Sequence, residues 1–307
     1  MGRGVKFWVG ITDKDWFERL RAQAPDEVNF WQPSAGRRAV VLDPGTPFLF
    51  KLHAPRNFVV GGGFYVSYSA FPARLAWEAF GDKNGVADYA ELHRRIEGYR
   101  KQAVKGDPII GCNVLNGPFF FEEKDWIPIP ESWSPHIQQG RTFDTEENDG
   151  LRLWNAVTDK LKGRPMTPGL NDPARFGAEY LTRARLGQGA FRVLVTDAYS
   201  RRCAITGERT LPVLEAAHIK PYSEEGPHLV SNGLLLRSDL HILFDDGYLT
   251  VTEDLRVEVS KRIKKEFENG REYYQYRGKP LAAIPRLSSE RPESEFLRWH
   301  NEHVFLE

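Results

Sequence analysis

In "LEAAHIKPY" (residues 214–222) an apolar run carries His218, and three side chains of matching chemistry follow it. They are Asn232, His241 and Asp245, in "SNGLLLRSDLHILFDD" (231–246). An imidazole titrates near neutral pH and can take a proton from water. An imidazole with a carboxylate one helical turn later offers nitrogen and oxygen donors to a divalent cation such as Mg2+, Mn2+ or Zn2+. A base beside one such cation suits phosphodiester hydrolysis, in which charge builds on the scissile phosphate and the leaving oxygen.

The pattern around these residues predicts the elements that must position them. A strand carries His218, a polar loop runs to Asn232, and the apolar strand "GLLL" follows. The short helix "SDLHILFDD" comes next, with Ser238 as its expected N-cap. His241 and Asp245 are four apart and share a helical face. A hairpin crossed by a helix then brings His218, Asn232, His241 and Asp245 to one cleft. Asn232, at the start of a strand, is expected to hydrogen-bond across the loop and hold His218. His228 reads as a solvent-facing loop residue, and His300 and His303 in "WHNEHVF" as structural residues of a C-terminal helix.

This ordered set resembles the HNH (ββα-metal) endonuclease motif, with His218, Asn232 and His241 as its three name-giving residues. The flanks "RLGQGAFRVLVTDAYSRRCAITG" and "LHILFDDGYLTVTEDLRVEVS" are similar to bacterial HNH endonucleases, and the resemblance spans residues 183–305. It implies His218 as general base, Asn232 as orienting residue and His241 as metal ligand, with Asp245 where some members have a third ligand. One position departs: most HNH sites have Asp or His directly before the general base, and this chain has Ala217. Glu215 points to the same strand face as residue 217 and is one candidate for the missing ligand; Asp245 and water are the alternatives. The CxxC pairs that brace many HNH domains are absent, so Cys203 reads as a packed thiol.

The first half reads as mostly β. "RAVVLDPGTPFLFKLH" (38–53) predicts two strands about a Pro-Gly turn, and "NFVVGGGFYVSYSAF" (57–71) a strand pair about three glycines that permit close backbone approach or a bulge. "IIGCNVLNGPFFF" and "WIPIP" add strands, while "PARLAWEAFG" and "DYAELHRRIEGYRKQ" have helical spacing. The expected class is therefore α+β: a small β-barrel with inserted helices over 1–148, a helical and Pro/Gly-rich linker over 149–182, and the HNH domain over 183–307. The strings "PGTPFLFKL" and "VVGGGFY" resemble the PUA superfamily, which includes the EVE, YTH, ASCH and SRA domains. That likeness implies a pocket holding a modified or flipped base on aromatic rings. The candidate lining residues are Trp31, Asn29, Ser34, Phe64 and Tyr65. Candidates for meeting DNA backbone are Arg37, Arg38, Lys51, Lys220, Lys264 and Lys265, the last two in "SKRIKKEFENGREYYQYRGK" (260–279), which otherwise reads as a solvated hairpin.

Composition narrows the classes. Lys and Arg number 42 against 42 Asp and Glu, so any basic surface is local. Two distant cysteines without CxxC spacing argue against a disulfide framework and a cysteine zinc site. The sequence shows neither a bilayer-length apolar run nor a signal-peptide core, and the expectation is a cytoplasmic protein. Together these readings predict a metal-dependent endonuclease acting on double-stranded DNA. Modification-dependent restriction is the leading form, with a modified cytosine as the base read. A nuclease indifferent to modification, an inactive binding module and an RNA-directed enzyme are the alternatives. One such site cuts one strand, so a homodimer is expected for a double-strand break.

Overall fold

The computed structural model describes residues 4–35, 42–101, 103–162 and 186–307. Arg37 and Arg38 lie outside the described residues, as does most of the expected linker. The chain divides into two compact units, Met1–Ala190 and Phe191–Glu307. Among the described residues no helix is long and apolar enough to cross a membrane.

The first unit is a seven-stranded mixed sheet. Its strands are β1 (Lys6–Thr12), β2 (Glu27–Gln32), β3 (Pro47–Leu52), β4 (Phe58–Pro72), β5 (Ile109–Phe120), β6 (Ile127–Pro128) and β7 (Gly140–Asp144). The order is β2-β5-β4-β3-β1-β7, with β6 paired to β4. Only β1 and β3 run parallel among these pairs. Side chains alternate across each strand, and both parities are apolar here. Phe7, Val9, Leu49 and Phe64 therefore pack in one core with Trp154 of α4 (Asn148–Leu161). Trp8, Phe48, Phe50 and Tyr65 pack in another with Trp16 and Phe17 of α1 (Lys14–Gln23). Helices α2 (Ala73–Phe80) and α3 (Tyr89–Arg100) follow β4, and Asp88 caps α3 by accepting the backbone N–H of Glu91.

The three glycines do not turn the chain: β4 is one continuous strand through them. A Cβ on Gly61 would lie 2.3 Å from the carbonyl oxygen of Phe119, so glycine is what lets β5 cross this closely. The register shifts beside them, between Gly62 and Phe64 and between Tyr65 and Ser67, mark bulges.

The second unit is built on the antiparallel hairpin β8 (Leu214–His218) and β9 (Gly233–Arg237), in which His218 pairs with Gly233 and Glu215 with Leu236. Helix α5 (Gln188–Ala198) precedes the hairpin and α6 (Ser238–Asp245) follows β9 with no intervening loop. A second hairpin, β10 (Leu249–Val251) and β11 (Val257–Val259), leads to α7 (Arg262–Phe267), α8 (Arg271–Tyr274) and α9 (Ser294–His303). Leu234, Leu235 and Leu236 are all fully buried, so β9 is apolar on both faces and anchors the unit's core. Each such leucine contributes on the order of 2 kcal/mol of burial, which fixes the hairpin against α6.

Two local expectations are corrected. Ser238 is the first residue of α6 rather than its cap; extended Arg237 takes the cap position because β9 runs straight into the helix. The basic stretch 260–279 forms α7 and α8 rather than a hairpin.

Candidate active site

The hairpin and α6 bring three of the expected residues into one row. His241 Nδ1 lies 2.7 Å from Glu215 Oε2, and His241 Nε2 lies 3.3 Å from Asp245 Oδ2. Glu215 reaches the helix from mid-strand, while Asp245 comes from one turn further along α6. The two carboxylates therefore hold opposite edges of one ring. Partial burial pushes the Asp245 carboxyl above the usual range; His241 opposes that shift, and Asp246 and Glu215 add to it.

This arrangement bears on the cation that the fold implies. Among the described residues no group of three or more His, Cys, Asp or Glu side chains is gathered as a ready metal cage. With Glu215 on Nδ1, His241 Nε2 and Asp245 are donors that could hold one cation together, with solvent or phosphate oxygens completing its shell. Nitrogen with carboxylate oxygen fits a borderline or hard divalent ion. Glu215 then matches the carboxylate that commonly orients a ligating histidine from its other nitrogen. Ala217, in the position before His218, is fully buried in the core.

His218 stands at the end of β8, half-buried. Its ring stacks on Phe191 of α5 at 3.8 Å and 10°. Burial first, and the neighbouring His228 and His241 imidazoles second, push it down to about 4. The ring is thus neutral at neutral pH and carries a lone pair. Its Nε2 lies 2.8 Å from Nδ1 of His228, and His228 in turn stacks on Tyr222 at 4.8 Å and 13°. His228 therefore belongs to the site instead of facing solvent as the sequence suggested. No periodicity marks it, because a loop turn and not a regular element carries it back.

The Asn232 side chain makes no hydrogen bond to the His218 ring. It is fully buried and braces the loop: Oδ1 accepts the Lys220 N–H at 2.9 Å, and Nδ2 donates to the Lys220 and Pro227 carbonyls at 2.9 Å each. These contacts fix the chain just after His218 and just before His228. Lys220 places its ammonium 5.7 Å from the centre of the Trp299 ring. Lys264 and Lys265 are exposed on α7. Phe191, Glu215, His228 and Asp245, which meet the two rings, all come from positions 191–245.

Two cavities among the described residues of the first unit bear on the expected pocket. One, of about 250 Å³, is lined by Thr12, Trp16, Trp31, Gln32, Arg95 and Tyr99 among others. Trp31 Nε1 donates to the Asn84 carbonyl at 3.0 Å, and the ring meets Tyr99 edge-on at 6.0 Å. Of the expected lining residues, Trp31 is the one in this cavity. Phe64 and Tyr65 are core residues on opposite sheet faces, and Asn29 is fully buried with Nδ2 bonded to Asn84 Oδ1 at 2.9 Å. Ser34 is exposed. The other cavity, of about 470 Å³, includes Lys51, His53, Arg56, Asn57 and Trp133. Lys51 is 2% exposed and donates to Leu52 O and Asn57 Oδ1, so it faces this cavity and not an outer DNA surface. Burial holds its ammonium below the ordinary lysine value.

Residues 203–252 match the model of the HNH endonuclease family, so the second unit contains an HNH endonuclease domain. Among solved structures, the chain is similar to an ASCH protein from Zymomonas mobilis at 12% identity and a TM-score of 0.32, covering 48% of this chain and 93% of that one. A mutant of that protein matches at 10% identity and a TM-score of 0.33, covering 49% and 96%. A modification-dependent restriction endonuclease, TagI, matches at 13% identity and a TM-score of 0.27, covering 91% of this chain and 76% of the other. No curated protein matches the chain.

Proposed function

We propose that this chain, with its HNH endonuclease domain, is a divalent-metal-dependent DNA endonuclease whose first unit reads a modified base, of cytosine type, and whose second unit cuts nearby. The observation that supports it most is the convergence of neutral His218 with the Glu215–His241–Asp245 row inside the segment that matches the HNH family. His218 accepts the proton of the attacking water. His241 Nε2 and Asp245 would hold Mg2+, Mn2+ or Zn2+, and the ion would supply positive charge for the scissile phosphate and leaving oxygen. Glu215 keeps the His241 proton on Nδ1 and so leaves Nε2 free to ligate. Asn232 braces the loop that carries the base, and Lys220 is placed on that loop for backbone phosphate.

In the first unit, Trp31 and Tyr99 offer the extruded base its stacking surfaces, and Thr12, Gln32 and Arg95 its polar edge. One HNH site cuts one strand, so a second copy completes a double-strand break. The test is cleavage of otherwise identical duplexes carrying cytosine, 5-methylcytosine, hydroxymethylcytosine or its glucosylated form, with each metal and with chelator. Cleavage that needs metal and favours modified DNA is expected; equal rates on all duplexes remove the reader role. A His218→Ala variant that cuts as well as wild type removes the assignment of the base.

A further inference from the structure

The 2.8 Å contact between His218 Nε2 and His228 Nδ1 has a consequence for which nitrogen can do chemistry. Two ring nitrogens at this separation share one proton, so either His228 donates to Nε2 of His218 or His218 donates to Nδ1 of His228. In the first arrangement the His218 lone pair on Nε2 is consumed and its Nδ1 carries a proton, leaving no base. In the second, Nε2–H is tied to His228 and Nδ1 presents the lone pair. Only the second gives a functional base.

We infer that His228 is a positioning residue for the reaction: its Nδ1 accepts the Nε2–H of His218 and fixes the tautomer whose Nδ1 takes the proton of water. This rests on the reading of His218 as the base. The proton count closes simply. A water O–H bond breaks as a His218 Nδ1–H bond forms, and the positive charge is spread over two hydrogen-bonded imidazoles. The logic is that of a carboxylate behind a catalytic histidine, with an uncharged partner.

The surroundings are built to keep this contact. Tyr222 stacks on His228 from the same loop, and Phe191 stacks on His218 from α5. Asn232 ties the chain on both sides, at Lys220 two residues after His218 and at Pro227 one residue before His228. The buried asparagine thus holds two imidazoles in register, and its effect on His218 runs through the loop.

The test combines ring NMR with kinetics on the full-length chain. Long-range 15N–1H spectra of labelled wild type are expected to show His218 as the Nε2–H tautomer, and His228→Ala is expected to give a mixture. His228→Ala should lower kcat by about 10- to 100-fold with KM for DNA little changed, the range typical for loss of an orienting partner. His228→Asn, whose Oδ1 replaces Nδ1 as acceptor, should recover most of the rate and the Nε2–H tautomer. Thermal melts of the three proteins should coincide. The inference is overturned if wild type cuts DNA with His218 as the Nδ1–H tautomer. It is also overturned if His228→Ala keeps full kcat, or if His228→Asn is no better than His228→Ala. A wild type that cuts no DNA but holds the Nε2–H tautomer removes the nuclease reading instead, and leaves the His228 bond standing.

Discussion

His218 and His300 form an internal pair whose likeness is nearly complete at the level of the ring. Each stacks on a phenylalanine with centroids 3.8 Å apart, His218 on Phe191 and His300 on Phe244. Burial pushes each down to about 4. The difference lies in what the nitrogens do. His300 is 2% exposed; Nε2–H donates to the Phe244 carbonyl at 3.1 Å, and Nδ1 lies 2.8 Å from the Thr250 hydroxyl oxygen. Both edges are consumed in fastening α9 to α6 and β10. His218 gives one edge to His228 and is only half-buried. A depressed, stacked imidazole is therefore not itself a mark of chemistry; an edge left for a substrate is.

The strongest way to break this comparison is to truncate each ring. His218→Ala should cost about 10²- to 10⁴-fold in kcat, the usual range for a general base, with only a modest fall in melting temperature from the lost stack on Phe191. His300→Ala should do the reverse. It should destabilise the chain by about 3 kcal/mol through a cavity and lost buried hydrogen bonds, while the protein still folded keeps its turnover. Paired urea titrations and single-turnover rates separate the two; equal loss of activity in both variants would sink the distinction.

Acidification probes the same pair. An unfolded histidine titrates near 6.5 and folded His300 near 4, so the unfolded chain binds more protons between those values. Stability from His300 is fully present above about pH 6.5 and is lost as pH falls to about 4, on the order of 3 kcal/mol. In His300→Ala that slope should shrink to the smaller share of partly solvated His218. Unfolding free energies measured across this window in both proteins check the sign.

Smaller effects sharpen the functional side. Glu215→Gln keeps a hydrogen-bond acceptor but removes the charge behind His241, and should weaken Mn2+ binding by about 10- to 100-fold in calorimetric titration. Phe191→Leu removes the stack beneath His218 and should cost about 1 kcal/mol, read as a modest fall in melting temperature with DNA cleavage retained.

The sequence was most legible where chemistry follows from local spacing. The strand–loop–strand–helix order around His218 and His241 is present, and Asp245 lies beside the ring that the four-residue spacing assigns it to. Glu215 was found by strand parity, yet the atom it meets, Nδ1 and not the edge facing Asp245, depends on a rotamer that no pattern carries. His228 escaped because its contact is set by the path of a loop. In the first unit the failure has another cause. A sheet covered on both faces needs aromatics at every parity, so Phe64 and Tyr65 looked like pocket residues and are core. Trp31 differs because β2 loses its burial toward that end, and its cavity partners Trp16 and Tyr99 come from helices distant in the chain.

The span of chain behind each site sets how the two can change with time. Phe191, Glu215, His228 and Asp245, which meet the His218 and His241 rings, lie between 191 and 245, so one uninterrupted stretch of gene encodes these contacts. The walls of the 250 Å³ cavity are gathered from Ile11 to Gln139, across several elements. No single exchange of sequence moves that cavity. Its preference must drift by separate substitutions, each tested against the packing of the sheet beneath.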